Sequence, residues 1–136
     1  MNKDMVLGGY FFSPSGDREQ LKPLKNPSED DLLQVLELFR DNVGVLGMKN
    51  NACDDIDPEE LSLYTESGRY MLLLGENDCD GEYNVRTLHN LNSPGGLQLM
   101  HGEPYGASTI VDDFDPVITA FREYLATGNV STDLLY

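Results

Sequence analysis

Apolar and polar residues recur along this chain with two periods, and the change from one to the other marks its elements. MVLGGYFF, Met5 to Phe12, is an apolar, aromatic run closed by the turn residues of SPSGD, and it reads as a strand. Its paired glycines, Gly8 and Gly9, predict a bulge or a close backbone approach. In NPSEDDLLQVLELF the period becomes helical. Leu32, Val35, Leu36 and Phe39 fall on one stripe, and Leu33 widens it. Ser28 suits the N-cap, and Asp31, three residues on, is a short version of the capping-box partner. Glu29, Asp30 and Asp31 favour the positive end of the helix dipole, so the spacing predicts a helix over 28–41.

VGVLGMK reads as a short glycine-interrupted strand, and NNACDDIDPEE after it as an acidic loop. LSLYT and RYMLLLGE, separated by ESG, predict a β-hairpin. EYNVRTL follows as a strand with Tyr83, Val85 and Thr87 on one face and Glu82, Asn84 and Arg86 on the other, which places GENDCDGEY at a hairpin tip. HNLNSPGG reads as a loop, LQLM as a short strand, HGEPYGAS as a turn-rich passage and TIV as an edge strand. The last long element lies in DDFDPVITAFREYLATG. There Asp115 can cap, Pro116 suits the first turn, Gly128 can end the helix, and Val117, Phe121, Tyr124 and Leu125 share a face. The sum is an α+β fold: one domain over 1–136, a twisted, mostly antiparallel sheet with two main helices, and a tail NVSTDLLY.

At 136 residues the chain has the length of one domain, and its apolar fraction of 40% suffices for a core despite the charge. That charge, 24 acidic residues against 9 basic, nets −15. Nucleic acid and anionic membrane are therefore poor partners, and a basic partner is the natural complement. MNKDMVLGGYFF lacks the apolar run of a signal peptide and no segment reaches the roughly 20 apolar residues of a membrane helix, so a cytoplasmic protein is expected. Cys53 and Cys79 lie far apart with no histidine near them, which argues for free thiols.

GENDCDGEY alternates Glu76, Asp78, Asp80 and Glu82. With Glu76 as position one of an EF-hand-like loop, Asp78, Asp80 and Gly81 fall correctly, but Thr87 stands where a bidentate Glu is needed and the flanks read as strands. A solvated turn and a docking surface for positive charge remain open. Clustering favours the latter, because residues 54–82 hold ten carboxylates against Arg69 alone. If the loops at 54–60 and 76–82 share one end of the sheet, they form a single negative surface whose self-repulsion a cationic partner relieves. No catalytic residue, metal ligand or cofactor site is expected. His89 and His101 stand alone in loops, Ser67 and Ser93 belong to turns, and Gly95-Gly96 lacks the strand and helix of a nucleotide fingerprint.

Together the GGYFF strand, the NPSEDDLLQVLELF helix, the LSLYTESGRYMLLLGE hairpin and the ending FREYLATGNVSTDLLY resemble the small bacterial immunity proteins of polymorphic toxin systems, those of contact-dependent growth inhibition in particular. The resemblance implies a non-enzymatic cytoplasmic protein that binds one cognate toxin domain, frequently a nuclease, and blocks its active site or substrate groove. The partner would be the basic C-terminal domain of a secreted bacterial toxin. Candidate contacts are Asp54, Asp55, Asp57, Glu59, Glu60, Glu76, Asp78, Asp80 and Glu82, the separate acidic knot of Asp112 and Asp113, and the anchors Tyr64, Tyr70 and Tyr83, with Tyr105 beside them. An acidic DNA mimic and a small metal-dependent enzyme are the alternatives. Breadth of inhibition separates the first, and metal titration the second.

Overall fold

A computed structural model describes residues 4–51, 58–66, 68–77, 82–93 and 95–136. Its centre is an antiparallel sheet whose long strands are β1 (Met5–Phe12), β4 (Val43–Asn50), β5 (Pro58–Glu66) and β6 (Arg69–Asn77). β5 pairs with β6 on one side and β4 on the other, and β4 pairs with β1 along its whole length. The outer edge of β1 is shared by β2 (Arg18–Gln20) and β3 (Leu24–Lys25). The outer edge of β6 is likewise shared by β7 (Tyr83–Thr87) and β10 (Ile110–Val111). VGVLGMK is thus no short strand: with Asn50 it matches β1 residue for residue from Met5↔Asn50 to Phe12↔Val43. That unbroken register leaves no bulge at Gly8-Gly9. The close approach is real, since a Cβ on Gly9 would overlap the Val45 carbonyl and stand 2.9 Å from Leu46 Cα.

Period-two alternation sorts the sheet into two faces. Met5, Leu7, Leu46, Met48, Leu61, Leu63, Leu72 and Leu74 point to one side and form the main core with the helices. α1 (Glu29–Arg40) contributes Leu32, Leu36 and Phe39, and α2 (Asp115–Thr127) contributes Val117, Ala120, Phe121 and Tyr124. The expected capping box forms at α1: Ser28 Oγ accepts from the Asp31 amide at 3.1 Å and Asp31 Oδ2 from the Ser28 amide at 3.4 Å. At α2 the cap is shifted. Asp115 is the first helical residue, Phe114 is the N-cap, and the Asp113 carboxylate accepts from the Asp115 amide at 3.0 Å. Gly128 ends the helix at φ 79, its amide donating to Tyr124 O at 2.8 Å.

The opposite face is covered only in part. A separate hairpin of β8 (Leu97–Met100) and β9 (Glu103–Gly106) lays Met100 against Met71 and Ile110, with Tyr64, Leu73 and Tyr105 around them. HGEPYGAS therefore contains a strand as well as a turn, followed by a short 3-10 helix at Ala107–Thr109. Along the outer side of β7 the segment after α2 is clasped by Arg86. Its guanidinium, with the side chain 13% exposed, donates to Leu135 O, Val130 O and Asn129 Oδ1 and pairs with Glu76 at 3.5 Å. No described helix is long and apolar enough to cross a membrane.

Candidate functional site

The strands that flank the two acidic segments of the sequence end together. Pro58 at the start of β5 lies opposite Glu76, Lys49 near the end of β4 lies opposite Glu60, and Asn77 at the end of β6 lies opposite Tyr83. The strands that enter and leave 52–57 and 78–81 thus finish together. Asp54, Asp55, Asp57, Asp78 and Asp80 lie outside the described residues, as does the Glu59 side chain. Of the described members, Glu60 and Glu82 are exposed, and Glu76 is held by Arg86. Asp112 and Asp113 do not join them. They follow β10, which pairs with Tyr70 and Met71 at the beginning of β6, so they sit at the far end of the sheet with Asp113 capping α2.

The tyrosines separate by face. Tyr70 points into the core at 5% exposure, where its hydroxyl donates to Arg40 O at 2.7 Å and its ring meets Phe114 edge-on at 4.8 Å. Burial, and after it the nearby Asp41 carboxylate, pushes its phenol pKa up. Tyr70 is thereby corrected from surface anchor to core residue, because its alternation partner on the opposite face is Met71. Tyr64 is half-buried on the helix-free face, edge-on to His101 at 5.8 Å. Tyr105 packs with the β8–β9 cluster and donates to Glu103 Oε2 at 3.2 Å; burial, then that bond, raises its pKa. Tyr83 alone among the four is widely exposed, at 58%. Its ring lies over Gly75, where any Cβ would collide with the phenol.

The histidines hold backbone. His101 Nε2 donates to Thr65 O at 2.8 Å, and His89 Nε2 to Tyr136 O at 2.6 Å while stacking on the Tyr136 ring at 4.0 Å. Among the described residues no three metal-ligating side chains gather.

A feature that sequence reading missed lies on the helix-free face. Val6, Gly8 and Tyr10 of β1, Val45, Gly47 and Lys49 of β4, and Glu60, Ser62 and Tyr64 of β5 line a shallow groove of about 450 Å³. The signal was in the alternation, because the residues between the core positions of β1 and β4 include Gly8 and Gly47, paired across the strands. A hollow of about 470 Å³ on the outer side of the helices is bridged by the Arg122–Glu29 ion pair.

Residues 4–134 match the model of a family of unknown function, DUF6911. The chain belongs to this family. No curated protein matches it. Its architecture is similar to that in the crystal structure of a hypothetical protein from Neisseria gonorrhoeae, with a TM-score of 0.82 at 23% identity, over 96% of this chain and 92% of that one. At that identity the likeness speaks to the fold alone. This DUF6911 chain brings together an acid-rich sheet end, an exposed tyrosine on a glycine, and a glycine-floored groove beside them.

Proposed function

We propose that this chain is a non-enzymatic immunity protein that binds a basic toxin domain in the cytoplasm and blocks its active site or substrate groove. The observation that carries the reading is the meeting of strand ends, Pro58 opposite Glu76 and Asn77 opposite Tyr83, since these are the ends that flank two acid-rich stretches of the sequence. A toxin that acts on nucleic acid needs Lys and Arg to hold phosphates, and a carboxylate surface complements that groove. Long-range attraction then speeds encounter, which matters when the toxin is already inside the cell. Carboxylates supply rate more than affinity, so an apolar anchor is also required. Tyr83, exposed beside Glu82 at that end, meets the requirement.

The test is co-expression with the basic C-terminal domain encoded in the reading frame immediately upstream. Restored growth, with a stable complex on purification, is the expected outcome. Unrelieved toxicity overturns the reading, and equal inhibition of unrelated nucleic-acid binders replaces it with DNA mimicry.

A further inference from the structure

Gly8 is a glycine the fold does not need. A Cβ there would meet nothing within 4 Å, and its φ is not in the left-handed region. Glycine inside a strand weakens it, so an unstrained glycine facing open space costs stability with no local return. Its neighbour Gly9 is the contrast, being fixed by the close Val45 carbonyl. What Gly8 and Gly47 together do is keep the floor of the groove open between the cross-strand row of Tyr10, Val45 and Tyr64 and that of Val6, Lys49 and Glu60.

The groove holds a carboxylate. Glu60 Oε2 stands 3.2 Å from where a Gly47 Cβ would be, and Glu60 is exposed. It lies opposite Lys49 yet makes no ion pair with it, whereas Arg40, Arg69, Arg86 and Arg122 each pair with a glutamate. On the other side Glu60 faces Gly75, over which the Tyr83 ring lies, with Val85 next to it at 50% exposure. Among the described residues Glu60 thus has no ion-pair partner, and it stands between the groove and the exposed Tyr83.

We propose that this helix-free face, from the Gly8–Gly47 groove to Tyr83, is the docking surface for the basic domain, and that one lysine or arginine of that domain lies along the groove with its charge at Glu60. The inference rests on the toxin-binding reading above and moves the central contact from the loop tips onto the sheet. A lysine or arginine stem packs on apolar surface while its head stays polar, which fits Val45 and Val6 on the two sides of the groove and the Glu60 carboxylate over Gly47. Tyrosine faces at 10 and 64 attract the same cation. Arg18 of this chain already sits over the Tyr10 ring at 4.1 Å, an arrangement of the kind expected of the partner at Tyr64. Lys49 and Lys25 also face this way, so an anionic occupant would use Lys49 in place of Glu60, and variants of the two separate the cases.

Calorimetry against the upstream-encoded basic domain, with thermal melting of each variant, tests this. Gly8→Val should melt no lower than the parent and bind at least tenfold more weakly, because the new side chain fills the groove. Glu60→Gln should weaken binding, and Lys49→Gln should leave it unchanged or tighter. If the parent binds and both Gly8→Val and Glu60→Gln bind equally well, the docking face is elsewhere, although the toxin-binding reading stands. Weakening by Lys49→Gln with none by Glu60→Gln assigns the groove to an anion and overturns the inference. A parent that binds no basic domain overturns the reading itself.

Discussion

Single side chains in this fold have separable duties. Tyr70 fills the core and satisfies Arg40 O, so Tyr70→Phe should cost about 1 kcal/mol near neutral pH, measured by denaturant unfolding. Its raised pKa gives that cost a pH dependence. A folded-state value above the unfolded one, near 10, means the contribution is whole below about pH 10 and is lost as pH rises through the folded value. The gap between parent and Tyr70→Phe should therefore close on the alkaline side; a constant gap up to the alkaline transition would contradict the buried phenol. Ser28→Ala removes the side chain that receives the Asp31 amide, and a loss of about 1 kcal/mol is expected, with the first turn of α1 losing amide protection. That residue was legible in sequence because a capping box is local chemistry. Tyr70 was not: a tyrosine in RYMLLLG can face either side, and only the register Thr65↔Tyr70, next to core Leu63↔Leu72, settles which.

Among the elements, α1 and α2 were readable from 3.6-residue spacing, and the long strands from apolar runs bounded by turns. Lost to sequence were the pieces too short to show a period. β2 and β3 are two or three exposed or half-exposed residues, REQ and LK, held by β1, and β9 is the EPYG inside a turn-rich passage, held by β8. No periodicity exists in so few residues, so pairing with a neighbouring strand, not local pattern, makes these strands. The same holds for the clasp after α2, which depends on Arg86 reaching carbonyls more than 40 residues away in sequence. Arg86→Met should leave Leu135 O and Val130 O without their charged donor and cost about 1.5–3 kcal/mol. Hydrogen exchange should locate the loss at the Thr87 and Tyr136 amides, which bond each other's carbonyls across β7 and the end of the chain. Uniform loss of protection across the sheet would instead mean that the clasp is no separate unit. The core joint between α1 and β1 is firmer: Phe39, fully buried edge-on against Phe11, should cost about 3–5 kcal/mol on change to Ala.

At the scale of the whole molecule, charge and topology meet. The net −15 and the clustering of acids at 54–82 were visible in sequence, but which cluster joins which depended on the sheet. Antiparallel pairing brings together the strand ends that flank 52–57 and 78–81 and sends Asp112 and Asp113 to the other end. The groove floored by Gly8 and Gly47 could not be read at all until β1 and β4 were paired in register. So concentrated a charge repels itself. Raising salt from about 10 mM to 150 mM shortens the screening length from about 30 to 8 Å, and the melting temperature of the free protein should rise as it does. A melting temperature indifferent to salt would show that the acids are already neutralised within the fold. The most direct test of an acidic end built to meet a basic toxin domain is the association rate constant with that domain as a function of ionic strength, for the parent and for the triple change Asp78→Asn, Asp80→Asn, Glu82→Gln. The parent rate should fall steeply with salt and the triple variant should show a lower, flatter line, while an equal triple change at Glu29, Asp30 and Asp31 on α1 keeps the parent slope. Parallel lines for the parent and the loop variant would contradict it, and place the meeting point away from the acidic end.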